Sequence, residues 1–97
     1  MSSLVLAAEA LADLEEIWQY IADDSPDAAD RIVDEILEAC DKLRSSPEIG
    51  RPREDLGTGL RSWPVRNYII FYRFGGDTVG VARVLHGARD IETVMCP

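Results

Sequence analysis

The arginines in the second half of the chain are the side chains best suited to chemistry or to recognition. All seven basic residues of segment 51–97 are arginines, and a guanidinium makes forked contacts with phosphate or carboxylate groups. Cleavage of RNA would need such cations around the phosphate, a base for the 2′-hydroxyl and an acid for the leaving oxygen. The candidates for these roles are His86 as acid or base, Arg61, Arg73 and Arg83 as phosphate clamps, and Tyr68 or Tyr72 as hydroxyl donors or stacking rings.

Other features of the sequence weigh against that chemistry. Lys42 is the only lysine, and the net charge of −8 repels nucleic acid at long range. Glu54 and Asp55 offer carboxylates as a base, but they belong to a predicted loop. His86 ends a predicted strand, where a histidine is more often a hydrogen-bonded structural group than a catalyst, and Asp90 is expected to make a structural contact with His86 or with Arg89. We therefore predict no catalytic residue, and keep nuclease chemistry as the alternative.

Two amphipathic helices should position these strands. Residues 8–22 place apolar side chains on one face of a 3.6-residue period. Within this helix, Trp18 is predicted to be core and Asp13 to be solvated. The second helix begins at Pro26, with Ser25 as its cap, and ends near residues 45–47. The short connection predicts an antiparallel helix hairpin.

The remaining segments have the composition of β-strands. Runs rich in Val, Ile, Tyr and Phe predict strands, with a hairpin turn at Gly75-Gly76-Asp77. The predicted segments are strands at 3–7, 60–65, 67–74 and 78–86, a loop with one possible helical turn at 45–59, and a short helix at 88–94. The fold class is therefore α+β, in the order β-α-α-β-β-β, with the helix hairpin packed on an antiparallel sheet and a short C-terminal helix.

The parity of the strands predicts which side chains share a face. Ile69, Phe71, Ala82 and Val84 are assigned to the face under the helices. The opposite face is expected to present arginine and aromatic side chains to a protein partner. The residues predicted to bind a partner are Arg61, Trp63, Arg66, Tyr68, Tyr72 and Arg83. A one-residue bulge would undo this assignment.

Composition limits the class of protein. The 97 residues are expected to form a single domain. There is no apolar run of membrane-spanning length and no export signal, so the expected location is the cytoplasm. Cys40 and Cys96 lack metal-ligand spacing and are interpreted as reduced thiols, and we predict neither a metal nor a cofactor. Charge is uneven, since residues 1–50 carry 13 acidic and 3 basic side chains whereas residues 51–97 carry 5 and 7.

Five short motifs occur in order along nearly the whole chain. They are ALADLEEIWQYIADDSPDAADRI (10–32), SSPEIGRPRED (45–55), LRSWPV (60–65), NYIIFYRF (67–74) and ARVLHGARD (82–90). Together they resemble the ParE branch of the ParE/RelE toxin superfamily.

The resemblance implies a toxin of a type II toxin–antitoxin system. It implies inhibition of DNA gyrase, neutralisation by a cognate ParD-like antitoxin in a hetero-oligomer, and contact with DNA only through that antitoxin. The antitoxin of this family usually ends in an acidic amphipathic segment, which would dock on the sheet face, the helix hairpin or the edge of the first strand. RelE-like relatives are ribosome-dependent mRNA endonucleases, and that activity is the alternative, with Arg61, Tyr68, Arg83 and His86 as its candidate residues.

Overall fold

The computed structural model describes residues 3–88, 90 and 91. Its elements are β1 (Ser3–Leu6), α1 (Ala8–Ala22), α2 (Pro26–Ser45), a 3₁₀ turn (Pro47–Ile49), β2 (Arg51–Pro52), β3 (Arg61–Val65), β4 (Tyr68–Gly75) and β5 (Thr78–His86). The predicted helices and the four longer strands are confirmed to within one or two residues. The predicted helix at 88–94 and Cys96 fall largely or wholly outside the described residues.

The two helices form the predicted hairpin. Ser25 is extended and its Oγ accepts a hydrogen bond from the Ala28 amide, while Pro26 occupies the first helical position. The apolar stripes of both helices pack on one face of the sheet, with Ala10, Leu14, Ile36 and Cys40 among the buried residues. Within the described residues, no helix is long and apolar enough to cross a membrane.

The sheet has five strands in the order β1-β5-β4-β3-β2. β1 runs parallel to β5, whereas the other neighbours are antiparallel. The prediction of a wholly antiparallel sheet was therefore wrong. The reason is β2, a two-residue strand in the predicted loop, which reverses the chain once more before β3 and so aligns β5 with β1.

A β-bulge separates the two ends of the β4–β5 hairpin. Tyr72 pairs with Val81 but Phe71 pairs with Arg83, so Ala82 is the extra residue on β5. Beyond the bulge, Val84 turns to the helix side and is 1% exposed. A one-residue bulge of this kind reverses the faces of the residues that follow it on β5.

The two faces of the sheet carry different clusters from those predicted. The core under the helices contains Tyr68, Ile70, Tyr72, Val79, Val81 and Val84. Leu60, Phe71 and Leu85 form a second cluster, packed with Leu56, Ile69 and Ile91. Val84 lies under the helices as predicted. The strand parity of β4 was correct, but its side was wrong: Tyr68 and Tyr72 lie under the helices, and Ile69 and Phe71 do not. Both faces are apolar at the centre, which is why pattern alone misassigned them.

Candidate partner-binding site

Arg83 is held by a carboxylate from the first helix. Its Nε and Nη2 donate to the two carboxylate oxygens of Asp13, at 2.8 Å each. Asp13 Oδ2 also accepts the Val84 amide at 3.0 Å. The Arg83 side chain is 28% exposed and that of Asp13 is 9% exposed. The hydrogen bonds that Arg83 donates to Asp13 raise the pKa of Arg83 against the opposing effect of burial, so this guanidinium is charged and already engaged.

Asp13 acts where the sheet lacks a strand. β1 pairs only with Thr78–Val81, so the edge of β5 beyond that point faces α1 instead of another strand. There the Val84 amide is satisfied by Asp13, and the His86 amide donates to Asp90 Oδ2 at 3.0 Å. Two carboxylates thus replace the missing strand as acceptors, which meets the requirement that buried amides be paired. The predicted contact between Asp90 and His86 is present, through the histidine backbone.

The prediction that Asp13 is solvated was wrong, since the residue is 7% exposed. The burial of Asp13 could have been inferred from the sequence, because Asp13 lies between the core positions Ala10 and Leu14 and precedes Ile17 by one turn. An acid at the border of an apolar stripe reaches the neighbouring sheet as readily as the solvent.

Tyr72 and Arg61 secure the loop that leads into β2. The Tyr72 hydroxyl donates to the Pro47 carbonyl at 2.6 Å and accepts the Gly50 amide at 2.9 Å. Arg61 Nη1 donates to the carbonyls of Glu48 and Gly50, and its guanidinium lies 5.3 Å from the centre of the Phe74 ring. Burial raises the pKa of Tyr72. Both side chains therefore have structural contacts, and Tyr72 is fully buried.

Tyr68 and His86 meet at the other end of β4. They are register partners, and their rings form an edge-to-face pair with centroids 5.5 Å apart. Tyr68 is 7% exposed, so its ring packs in the core rather than facing outward as predicted. Arg83 pairs with Phe71 beyond the bulge and does not share a face with Tyr68.

Arg66 and Trp63 occupy the helix side of the structure as well. Arg66 lies in the β3–β4 turn with φ 55°, and its Nε donates to Glu35 Oε2 of α2 at 2.6 Å. This hydrogen bond is the main cause of a lowered pKa for Glu35. Trp63 packs partly buried against the main core, with Lys42 Nζ 5.2 Å from its ring centre. The six residues predicted as one outward surface are therefore distributed over four places, and that surface is not formed.

The remaining nuclease candidates are also engaged in local contacts. Arg73 Nε donates to the Thr58 carbonyl at 2.9 Å. Glu54 accepts the Gly59 amide, and Asp55 pairs with Arg53, which lowers the Asp55 pKa. Among the described residues, no three His, Cys, Asp or Glu side chains lie close enough together to hold a metal ion.

Trp18 differs most from its predicted environment. It is 38% exposed, and its Nε1 donates to Asp30 Oδ1 of α2 at 2.8 Å. The prediction that it is core was wrong. Trp18 follows the buried Ile17 by one position and so lies on the flank of the apolar stripe, where it spans the two helices.

Residues 4–91 match the family model described as the ParE toxin of the type II toxin–antitoxin system parDE. The chain belongs to the ParE toxin family. It is 34% identical over 93 residues to the toxin ParE1 of Mycobacterium tuberculosis, covering 94% of this chain and 95% of that protein. It is 30% identical over 87 residues to the toxin RelE3 of Caulobacter vibrioides, covering 89% and 95%. A solved structure from the chromosomal ParDE system of P. aeruginosa superimposes with a TM-score of 0.75 at 25% identity, covering 89% of this chain and 96% of that one.

Family membership confirms both the fold class and the toxin class predicted from the five motifs. This ParE chain is a toxin component of a type II system. Its arginines divide into those fixed by carboxylates, such as Arg83 and Arg66, and those fixed by backbone carbonyls, such as Arg61 and Arg73. Each contact holds one strand or turn to another element, so the arginines of this ParE fold have a structural task in addition to any role in binding.

Proposed function

We propose that this ParE toxin inhibits DNA gyrase and is neutralised by a cognate ParD-like antitoxin. Membership of the ParE family is the main support. The geometry adds that Arg61, Tyr68, Arg83 and His86, the alternative nuclease set, do not converge on one open surface. Arg83 makes a bidentate contact with Asp13, and Tyr68 is packed against His86 in the core. Phosphoryl-transfer chemistry requires cations and proton carriers around a single phosphate, and these four residues do not provide that arrangement.

The antitoxin contact is proposed at the end of the sheet formed by β2 and β3. Arg61 lies there beside two exposed apolar residues, Ile49 at 40% and Phe74 at 36% exposure. Segment 51–97 has a net charge of +2, which favours an acidic amphipathic segment. Of the residues predicted for partner binding, Arg61, Trp63 and Arg66 stay as candidate contacts because each is partly or fully exposed. Tyr68 and Tyr72 would act from within, since both pair with β3 and hold this part of the fold, whereas Arg83 is held at the β5 edge by Asp13.

The antitoxin is expected to form a hetero-oligomer with the toxin and to supply its contacts with DNA. The net charge of −8 on the toxin supports this division, since phosphate repels an acidic protein. The edge of β1, where Val5 is 54% exposed, is a second place at which an antitoxin segment would add a strand.

Expression of the toxin in bacteria with and without its antitoxin tests the proposal. Gyrase inhibition predicts filamentous cells with DNA-damage signalling, and rescue by co-expressed antitoxin. Arrest of protein synthesis with cuts in translated mRNA, abolished by Arg83→Ala or His86→Ala, would support the nuclease alternative instead. Normal growth without antitoxin would show that this chain is not an active toxin.

A further inference from the structure

Gly80 lies within β5 on the outer face of the sheet, the face that is turned away from the helices. Its chain neighbours Val79 and Val81 are buried in the core under the helices, so position 80 faces the other way. Gly80 pairs with Val5 of β1 on one side and with Arg73 of β4 on the other. The outer face therefore carries a row across three strands whose middle member has no side chain. We call the space between Val5 and Arg73 the Gly80 gap.

The fold gives no reason for a glycine at position 80. Its φ is not positive, and a Cβ added there would meet no atom within 4 Å beyond its chain neighbours. The bulge lies at Ala82, whereas Gly80 keeps regular pairing with the strands on both sides. A glycine inside a strand lowers stability relative to alanine, and one that no bulge or bend explains often marks the close approach of a ligand or of another backbone.

The two walls of the Gly80 gap differ in chemistry. Val5 is apolar and 54% exposed. Arg73 is exposed, and its Nε donates to the Thr58 carbonyl. None of the ion pairs among the described residues includes Arg73, so no carboxylate of the chain neutralises its charge there. Neighbouring strands are spaced by about 4.8 Å, so the backbones of Val5 and Arg73 lie about 10 Å apart, which leaves room for one planar ring.

From this we infer that the Gly80 gap binds an aromatic side chain of a protein partner, in a segment that also carries a carboxylate. The ring would lie on the open peptide groups of Gly80, against Val5 and beside the Arg73 guanidinium, which attracts both aromatic rings and carboxylates. An aliphatic side chain would gain only the contact with Val5. A nucleic-acid base is also planar, but the net charge of −8 repels its phosphates. The inference does not rest on gyrase as the target, since binding is measured on the toxin alone.

The probe is a capped tripeptide, acetyl-Asp-Trp-Glu-amide, titrated into the full-length toxin and followed through the backbone amide signals in NMR spectra. The ring should shift the signals of Gly80, Val5 and Arg73 most strongly, with a dissociation constant in the millimolar range. The same peptide with leucine in place of tryptophan should bind at least about fivefold more weakly. Equal binding of the two peptides, or shifts confined to other parts of the chain, would overturn the inference.

Gly80→Val fills the gap and is the decisive variant. It should weaken binding of the tryptophan peptide at least about tenfold and raise the melting temperature by about 2–8 °C, because a strand favours valine over glycine. Val5→Ala should weaken binding about threefold, whereas Leu11→Ala, which shortens a similarly exposed residue on α1, should leave it unchanged. Arg73→Gln should also weaken binding about threefold, whereas Arg51→Gln, which removes the same charge from an exposed site on β2, should not.

Unchanged binding to Gly80→Val would refute the inference, and so would a lower melting temperature of this variant, because the fold would then require the glycine. Equal losses in Arg73→Gln and Arg51→Gln would show diffuse attraction between the acidic peptide and arginines. Tighter binding of a single-stranded oligonucleotide than of the peptide would point to nucleic acid, and self-association that Gly80→Val abolishes would point to a second copy of the toxin. Each of these three results would also overturn the proposal.

Discussion

Removal of the buried Asp13 carboxylate should be among the most damaging single changes to a charged residue of this toxin. Asp13→Ala leaves the Arg83 guanidinium without its bidentate partner and the Val84 amide without an acceptor. An unsatisfied buried amide costs about 1–3 kcal/mol. Breaking a fully buried ion pair costs about 3–5 kcal/mol, and this pair is worth less because Arg83 is 28% exposed and can turn toward water.

The expected loss in the free energy of unfolding is therefore about 2–4 kcal/mol, out of a total of about 5–15 kcal/mol for a chain of this size. The corresponding fall in melting temperature is roughly 10–20 °C. Asp13→Asn keeps one oxygen acceptor and should lose about half as much, on the order of 1–2 kcal/mol. The order of stability should be wild type, then Asp13→Asn, then Asp13→Ala.

Urea unfolding followed by circular dichroism measures these differences, with Glu16→Ala as the control. Glu16 is an exposed acid on the same helix and lines the same surface pocket as Asp13, so its loss should change stability by less than about 0.5 kcal/mol. A double-mutant cycle of Asp13→Ala with Arg83→Ala should give a coupling energy of about 1 kcal/mol or more. If Asp13→Ala proved as stable as Glu16→Ala, the assignment of Asp13 as the residue that holds the β5 edge to α1 would be wrong.

Three further predictions concern other parts of the fold. Tyr72→Phe removes the hydroxyl that joins Pro47 to Gly50 and should lower the free energy of unfolding by about 1–2 kcal/mol, as measured in urea. Burial raises the pKa of the Cys40 thiol from 9.0 to about 11. The free energy of unfolding should therefore be constant below pH 9 and fall as the pH rises toward 11. Cys40→Ala should remove this fall when unfolding in urea is measured across that pH range. Glu35→Gln breaks an exposed ion pair whose carboxyl pKa is lowered. The stabilisation from this pair is present above the unfolded-state pKa of Glu35 and is lost as the pH falls through the lowered folded-state pKa, so wild type and variant should converge in urea titrations in acid. A persistent difference between them at low pH would contradict this origin.

The sequence predicted the elements well because local signals decide them. The Ser25-Pro26 start of α2 and the glycine turn before β5 act over a few residues. The direction of β1 relative to β5 depended on β2, whose Arg51 and Pro52 show no strand pattern. Pairing across the sheet, rather than propensity, makes that segment a strand.

The candidate site was predicted less well because one residue controls its register. The extra Ala82 pairs Val84 with Ile70 and Arg83 with Phe71, so Arg83 no longer shares a face with Tyr68, and nothing in the residue type marks a bulge at that point. The role of Asp13 was missed for a related reason, since Asp13 accepts a hydrogen bond from a part of the β5 edge that β1 does not cover. The predicted first strand (3–7) is already shorter than the predicted last one (78–86), but their pairing was not predicted, so the need for an acceptor at that edge was not recognised.

Purified toxin added to purified gyrase tests the central claim most directly. The account predicts that supercoiling of relaxed plasmid falls as toxin is added, that the antitoxin restores it, and that translated mRNA in a parallel reaction with ribosomes stays intact. Unaffected supercoiling together with codon-linked cuts in the mRNA would contradict it.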